Sequence, residues 1–130
     1  MGQTIKGKIA YITGASSGIG RATALQLASE GVHVGLIART ESKLNDVASE
    51  AKAYGVKAVV APADIAKIED VNKAIDKLQN ELGSADILIN NAGMGRYGSF
   101  LEIEPEDWKE TFEVNVYGTY HVTRAVLPQM

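Results

Sequence analysis

"YITGASSGIGRATALQL" occupies residues 11–27. It opens as an apolar run, breaks into glycines and serines, and resumes with helix formers. The apolar run reaches back to Lys8, so Lys8 to Thr13 reads as a buried strand. A helix is expected from about Ile19 to Glu30, with Ile19, Ala22, Leu25 and Ala28 near one face and Gly31 as its stop. The same alternation continues outward. Val32 to Ala38 is a second strand, and "ESKLNDVASEAKAYG" a second helix that Gly55 ends. Lys57 to Ala63 is a third strand. "IEDVNKAIDKLQNELG" is a third helix, ended by Gly83, with Val71, Ile75, Leu78 and Leu82 on one stripe. Ala85 to Ile89 is a fourth strand. After a glycine-rich loop, "PEDWKETFEVNVYGTYHVTRAVL" reads as one long fourth helix, with Pro105 in the first turn, where no backbone donor is needed.

Strands that alternate with helices pair in parallel through right-handed crossovers. Their apolar residues fall on both faces, as in a sheet covered on both sides. The predicted fold is therefore α/β, a Rossmann-type doubly wound parallel sheet in the order 3-2-1-4 with helices on both faces. Such a sheet takes its ligand beyond the carboxyl ends of the strands, between strands 1 and 4.

The bend now has a physical reading. Its spacing is Gly14-x-x-x-Gly18-x-Gly20, preceded by Thr13. Gly14 lets the chain turn off the strand, Gly18 leaves no side chain in the way of an approaching pyrophosphate, and Gly20 lets the helix pack closely. The helix offers unpaired backbone donors and the positive end of its dipole, and Ser16 and Ser17 can add hydroxyls. The plain alternative is a turn with glycines for geometry only. Because the motif follows the first strand and opens a helix, phosphate binding is the expectation. No Gly-Lys-Ser/Thr follows, so it is not a P-loop.

Composition narrows the partners. The chain has 130 residues, a size for one domain, with 45% hydrophobic and 22% charged residues. Net charge is −3 with no basic run, so nucleic acid is not an expected partner. Cysteine is absent, which excludes disulfides, thiolate metal sites and a cysteine nucleophile, and fits a cytoplasmic setting. "MGQTIKGKIA" has no signal-type apolar run, and Lys6 stands where a myristoylation signal wants Ser or Thr. No apolar run is long enough to span a bilayer, so no membrane partner is expected. His33 on a strand and His121 on a helix lack a second histidine or paired acid nearby in sequence. No metal site is expected; solvent or local bonding is.

"TGASSGIG" (Thr13 to Gly20) together with "NNAG" (Asn90 to Gly93) resembles the short-chain dehydrogenase/reductase family. The glycine spacing is similar to that of its single-domain reductases, not its epimerase-like branch. "ADI" (Ala63 to Ile65) and "NVYG" (Asn115 to Gly118) match too, so the resemblance runs over nearly the whole chain. It implies Thr13, Gly14, Ser16, Ser17, Gly18, Ile19 and Gly20 as cofactor residues of the bend. It implies Asp64 and Ile65 beside the adenine, and Asn91, Ala92 and Gly93 along the ribose and nicotinamide. It implies Asn115 as the asparagine of an Asn-Ser-Tyr-Lys tetrad, helping to hold a relay water. The residues alone also allow a buried Asn115 bonding locally.

The end of the second strand chooses the cofactor. Ala38 lies 20 residues after Gly18, near where an acid would bond the ribose 2′-hydroxyl of NAD, and Arg39 follows it. A missing carboxylate beside a guanidinium favours a 2′-phosphate, hence NADP(H). The plain alternative is a solvated arginine at a strand end.

The family's proton donor is a tyrosine four residues before a lysine. Counting four on from Tyr11, Tyr54, Tyr97, Tyr117 and Tyr120 gives Ala15, Ala58, Leu101, His121 and Arg124. The expectation is therefore a dinucleotide-binding Rossmann domain over 1–130, stopping before a fifth strand and the Ser/Tyr/Lys segment, and inactive alone. The complete protein is expected to be an NADPH-dependent carbonyl reductase, the 3-oxoacyl carrier-protein reductases being a plausible subgroup. Its substrate would be a small-molecule or acyl-carrier-bound carbonyl, and it would assemble as a homo-oligomer, dimer or tetramer. The alternative is a non-catalytic NADP-binding or oligomerising fragment.

Overall fold

The computed structural model describes residues 4–94 and 98–130. Tyr97 and the first three residues of the N-terminal stretch lie outside the described residues. The elements run β1 (Ile9–Thr13), α1 (Gly18–Ser29), β2 (His33–Ala38), α2 (Glu41–Lys52), β3 (Ala58–Pro62), α3 (Ile68–Glu81), β4 (Ile87–Ile89), α4 (Pro105–Phe112), a π-helical stretch (Glu113–Gly118), α5 (Thr119–Val126) and a short 3₁₀ turn (Leu127–Gln129).

The four strands form one parallel sheet in the order β3-β2-β1-β4. This is the doubly wound order expected. Side chains alternate across it as the pleat requires. Ala10, Ile12, Val34 and Leu36 point to one face, where Ala24, Ala28, Leu44, Val47 and Ala51 of α1 and α2 cover them. Tyr11 and Ile37 point to the other, against Val71, Ile75 and Leu78 of α3 and Val122 and Val126 of α5. Gly35 is what lets α3 approach: a Cβ there would meet Leu78 Cδ1 at 2.9 Å. The expectation of strands buried on both faces holds for β1 and β2, while β4, at the sheet's edge, is half-buried along its length.

Two element readings are corrected. Ile19 does not face the core; it is 77% exposed, and the buried residues of α1 are Gly20, Ala24 and Ala28. The helix starts at Gly18, and the row Gly20, Ala24, Ala28 is small enough to bring its backbone onto the sheet, whereas Ala22 is exposed. The long fourth helix is one rod but not one helix type. Its middle turn, Glu113–Gly118, is widened to π geometry.

Tyr11, the middle residue of β1, ties the strand to the turn after α3. Its hydroxyl donates to the Gly83 carbonyl at 2.5 Å, with Gln129 Oε1 3.0 Å away, and that oxygen also accepts from Ala85 N at 2.9 Å. Burial pushes the phenol up to about 12. Among the described residues no helix is long and apolar enough to cross a membrane, and no three His, Cys, Asp or Glu side chains gather as a metal site.

Candidate functional site

Beyond the carboxyl ends of β1, β2, β3 and β4 lies a cleft of about 510 Å³. Clefts of this size hold small ligands and cofactors. Its floor is the bend after β1, with Gly14, Ser16, Ser17 and Ile19 lining it. Gly14 has φ +64° and Gly18 +58°, the left-handed backbone that a sharp exit from a strand needs. A Cβ on Gly18 would stand in open space, so this glycine keeps the approach to the α1 N-terminus clear. A Cβ on Gly20 would lie 2.1 Å from the Gly14 carbonyl oxygen. Gly20 therefore closes the helix onto the bend itself and does not face the cleft. Ser17 is the N-cap of α1, yet its hydroxyl makes no capping bond and remains available to a ligand.

One rim of the cleft follows β2. Ala38, Arg39, Thr40 and Lys43 line it, with no carboxylate among them. Thr40 is the N-cap of α2, and its hydroxyl likewise makes no capping bond. Lys43 is a cleft residue that sequence reasoning missed. The available signal was its place in the first turn of the helix that begins right after Arg39.

The opposite wall holds Asp64 and Ile65 on one side and Asn91, Ala92, Gly93 and Met94 on the other. Thr13, expected at the cofactor, is instead buried beneath this wall at 1% exposure. Its Oγ1 accepts from Asn91 N at 3.0 Å and Ala92 N at 2.9 Å. Asn91 then donates through Nδ2 to the Gly14 carbonyl at 3.3 Å, tying the loop after β4 to the bend after β1. Thr13 and Gly20 thus shape the site without lining it.

Asn115 departs from the plain reading of a buried amide bonding locally. It is exposed, not buried, and its side-chain bonds are not local. Its Oδ1 accepts from Met94 N at 2.8 Å and its Nδ2 donates to Met94 O at 2.7 Å. A primary amide that meets both groups of one residue holds that residue's backbone as a strand neighbour would. The widened π turn presents this amide to the loop. Asn115 does not line the cleft, so its side chain acts by fixing Met94. The histidines depart from expectation too: His33 Nδ1 accepts from Lys57 N at 3.0 Å, and His121 Nδ1 lies 3.1 Å from the Ile65 carbonyl.

A family model described as short chain dehydrogenase matches residues 8–130. The chain belongs to the short-chain dehydrogenase/reductase family. It is 44% identical over 129 residues to a short chain dehydrogenase of Pseudocercospora fijiensis, covering 97% of this chain and 41% of that protein. It is 37% identical over 124 residues to a 3-oxoacyl-(acyl-carrier-protein) reductase of Staphylococcus epidermidis, covering 95% and 51%. Among solved structures, L-sorbose reductase from Gluconobacter frateurii, complexed with NADPH and L-sorbose, superposes with a TM-score of 0.93 at 37% identity, over 100% of this chain and 50% of that one. An NAD⁺-bound xylitol dehydrogenase superposes with a TM-score of 0.94 at 32% identity, over 98% and 50%. The chain spans about half the length of the relatives it matches. The fold is thus the nucleotide-binding Rossmann type of an oxidoreductase family.

Proposed function

We propose that residues 1–130 form the cofactor-binding part of an NADPH-dependent carbonyl reductase. One observation carries the cofactor choice: Arg39 and Lys43 line the β2 rim of the cleft, where no carboxylate stands to meet a ribose 2′-hydroxyl. Two cations and the uncapped Thr40 hydroxyl suit a 2′-phosphate. The open approach at Gly18 and the Ser16 and Ser17 hydroxyls suit the pyrophosphate at the α1 N-terminus. Asp64 and Ile65 would border the adenine, and Asn91, Ala92 and Gly93 the ribose and nicotinamide.

Bound there, the reduced nicotinamide supplies a hydride to a carbonyl carbon. The chain's own contribution is positional. Thr13 and Asn115 fix the Asn91–Met94 wall, and Arg39 and Lys43 select the nucleotide. No Tyr-x-x-x-Lys occurs in the 130 residues, so these residues are assigned no proton donor, a group typically worth about 10²–10⁴-fold. The substrate is a small-molecule or acyl-carrier-bound ketone; similarity to a 3-oxoacyl-(acyl-carrier-protein) reductase supports the latter. A cytoplasmic homo-oligomer, dimer or tetramer, completes the reading. The second reading is an NADP-binding or oligomerising unit without turnover; NADPH oxidation by the complete protein with 3-oxoacyl substrates separates the two.

The test is a titration of the complete protein with NADPH and NADH. Arg39→Asp is expected to weaken NADPH by roughly ten- to a hundredfold, one charge-assisted contact, and to leave NADH unchanged or tighter. Lys43→Ala should weaken NADPH less and NADH not at all. Tighter binding of NADH by the unaltered protein overturns the assignment.

A further inference from the structure

The segment that carries Asp64 and Ile65 out of β3 is almost fully bonded by its own neighbourhood. Ala63 N donates to Ala38 O at 2.9 Å, Asp64 N to Asp70 Oδ2 at 3.1 Å, Ala66 N to Asp64 Oδ1 at 3.0 Å and Lys67 N to Asp64 O at 3.0 Å. One group has a partner much further along the chain. The Ile65 carbonyl faces His121 Nδ1, 56 residues later in the chain, at 3.1 Å. A carbonyl only accepts, so Nδ1 carries the proton and donates.

The same helix face presses on the Ile65 side chain. Gly118, three residues before His121, has no Cβ, and one built there would sit 2.7 Å from Ile65 Cδ1 and Cγ1. Ile65 is 6% exposed and packs in the α3–α5 half of the core. Backbone and side chain of one cleft residue are therefore both seated on the turn Gly118–His121. The π stretch just before it holds Met94 through Asn115. One rod thus grips both flanks of the cleft, Met94 by an amide and Ile65 by an imidazole.

From this we infer that His121 is a positioning residue for the adenine side of the cofactor, acting through the Ile65 carbonyl. The inference rests on the cleft being the NADPH site proposed above. It does not touch the reacting atoms, so it should appear in affinity for the adenine half and not as a general loosening.

The experiment compares the complete protein with His121→Phe, which keeps a ring but cannot donate, and His121→Asn, whose Nδ2 takes the position of Nδ1. The probes are NADPH and adenosine 2′,5′-bisphosphate, by calorimetric titration. His121→Phe is expected to weaken both by the same factor, roughly five- to tenfold, the size of one hydrogen bond. His121→Asn should restore both. If Phe does not permit folding, His121→Ala replaces it in the same comparison. Unchanged affinity in the non-donating variant overturns the inference, and so does a loss much larger for NADPH than for the bisphosphate, or one that Asn does not rescue. If the unaltered protein binds neither probe, the proposed cofactor site itself falls and takes this inference with it.

Discussion

Thr13 holds the loop after β4 with a single atom. Its Oγ1 accepts two backbone N–H groups, those of Asn91 and Ala92, in a position shut off from water. Replacing it by valine keeps the shape and removes the acceptor, so both donors lose their partner. Thr13→Val is expected to lower stability by about 1–3 kcal/mol in urea denaturation, and Thr13→Ser to restore most of it. A valine variant as stable as the parent would show that the loop finds other acceptors. The residue scale is also where the sequence was hardest to read. Gly14 and Gly18 declare themselves, because a left-handed backbone selects glycine. A threonine that serves as a buried double acceptor looks in sequence like any strand-end threonine. Ile19 misleads in the opposite way: its apolarity suggests the core, yet the alanines and glycine of α1 take that face.

At the scale of elements, the rod from Pro105 to Gln129 controls the cleft without contributing to its lining beyond Val114. The loop at Met94 has its N–H and its carbonyl bonded to Asn115. Asn115→Ala removes both and should raise amide exchange at Met94 by about tenfold, while Asn115→Asp keeps the acceptor, loses the donor and falls between. Exchange mapped by mass spectrometry checks this; equal protection in all three proteins would release Asn115 from the role. Strands and helices were legible because burial on both faces leaves short continuous apolar runs in strands and a 3.6-residue stripe in helices. Hence the order β3-β2-β1-β4 and the stripe Val71, Ile75, Leu78 agree with the sequence reading. The π turn was not legible. No proline marks it, and the residue that its asparagine holds lies 21 positions distant. Lys43 was missed for a related reason: it reaches the β2 rim only once α2 has its place.

Two expectations concern the whole molecule. Tyr11 ties β1 to Gly83, and its phenol is raised to about 12 by desolvation. A raised folded-state value means that the neutral phenol is favoured by folding. Its contribution is complete below pH 10 and is lost as pH rises through 12. Denaturant midpoints should therefore fall between pH 10 and 12, and fall less in Tyr11→Phe; parallel declines would remove Tyr11 from the alkaline limit. The second expectation concerns association. β4 is half-buried at the sheet's edge, and Phe100, Trp108 and Phe112 are exposed in edge-to-face and tilted contact with one another. An open strand edge and an aromatic patch both invite partners. The 1–130 chain should gain mass with concentration in light scattering; a constant monomer mass across a wide dilution series contradicts this. The sheet order also has a consequence for how the molecule is born. β1 lies between β2 and β4, with Asp86 and Ile9 exchanging bonds at its start. The ribosome must add about fifty residues after Ala38 before Ile87 exists. At roughly 5–20 residues per second, the nascent sheet waits some seconds with the central strand bare on one side. During that interval the edge of β1 that β4 later covers stands open.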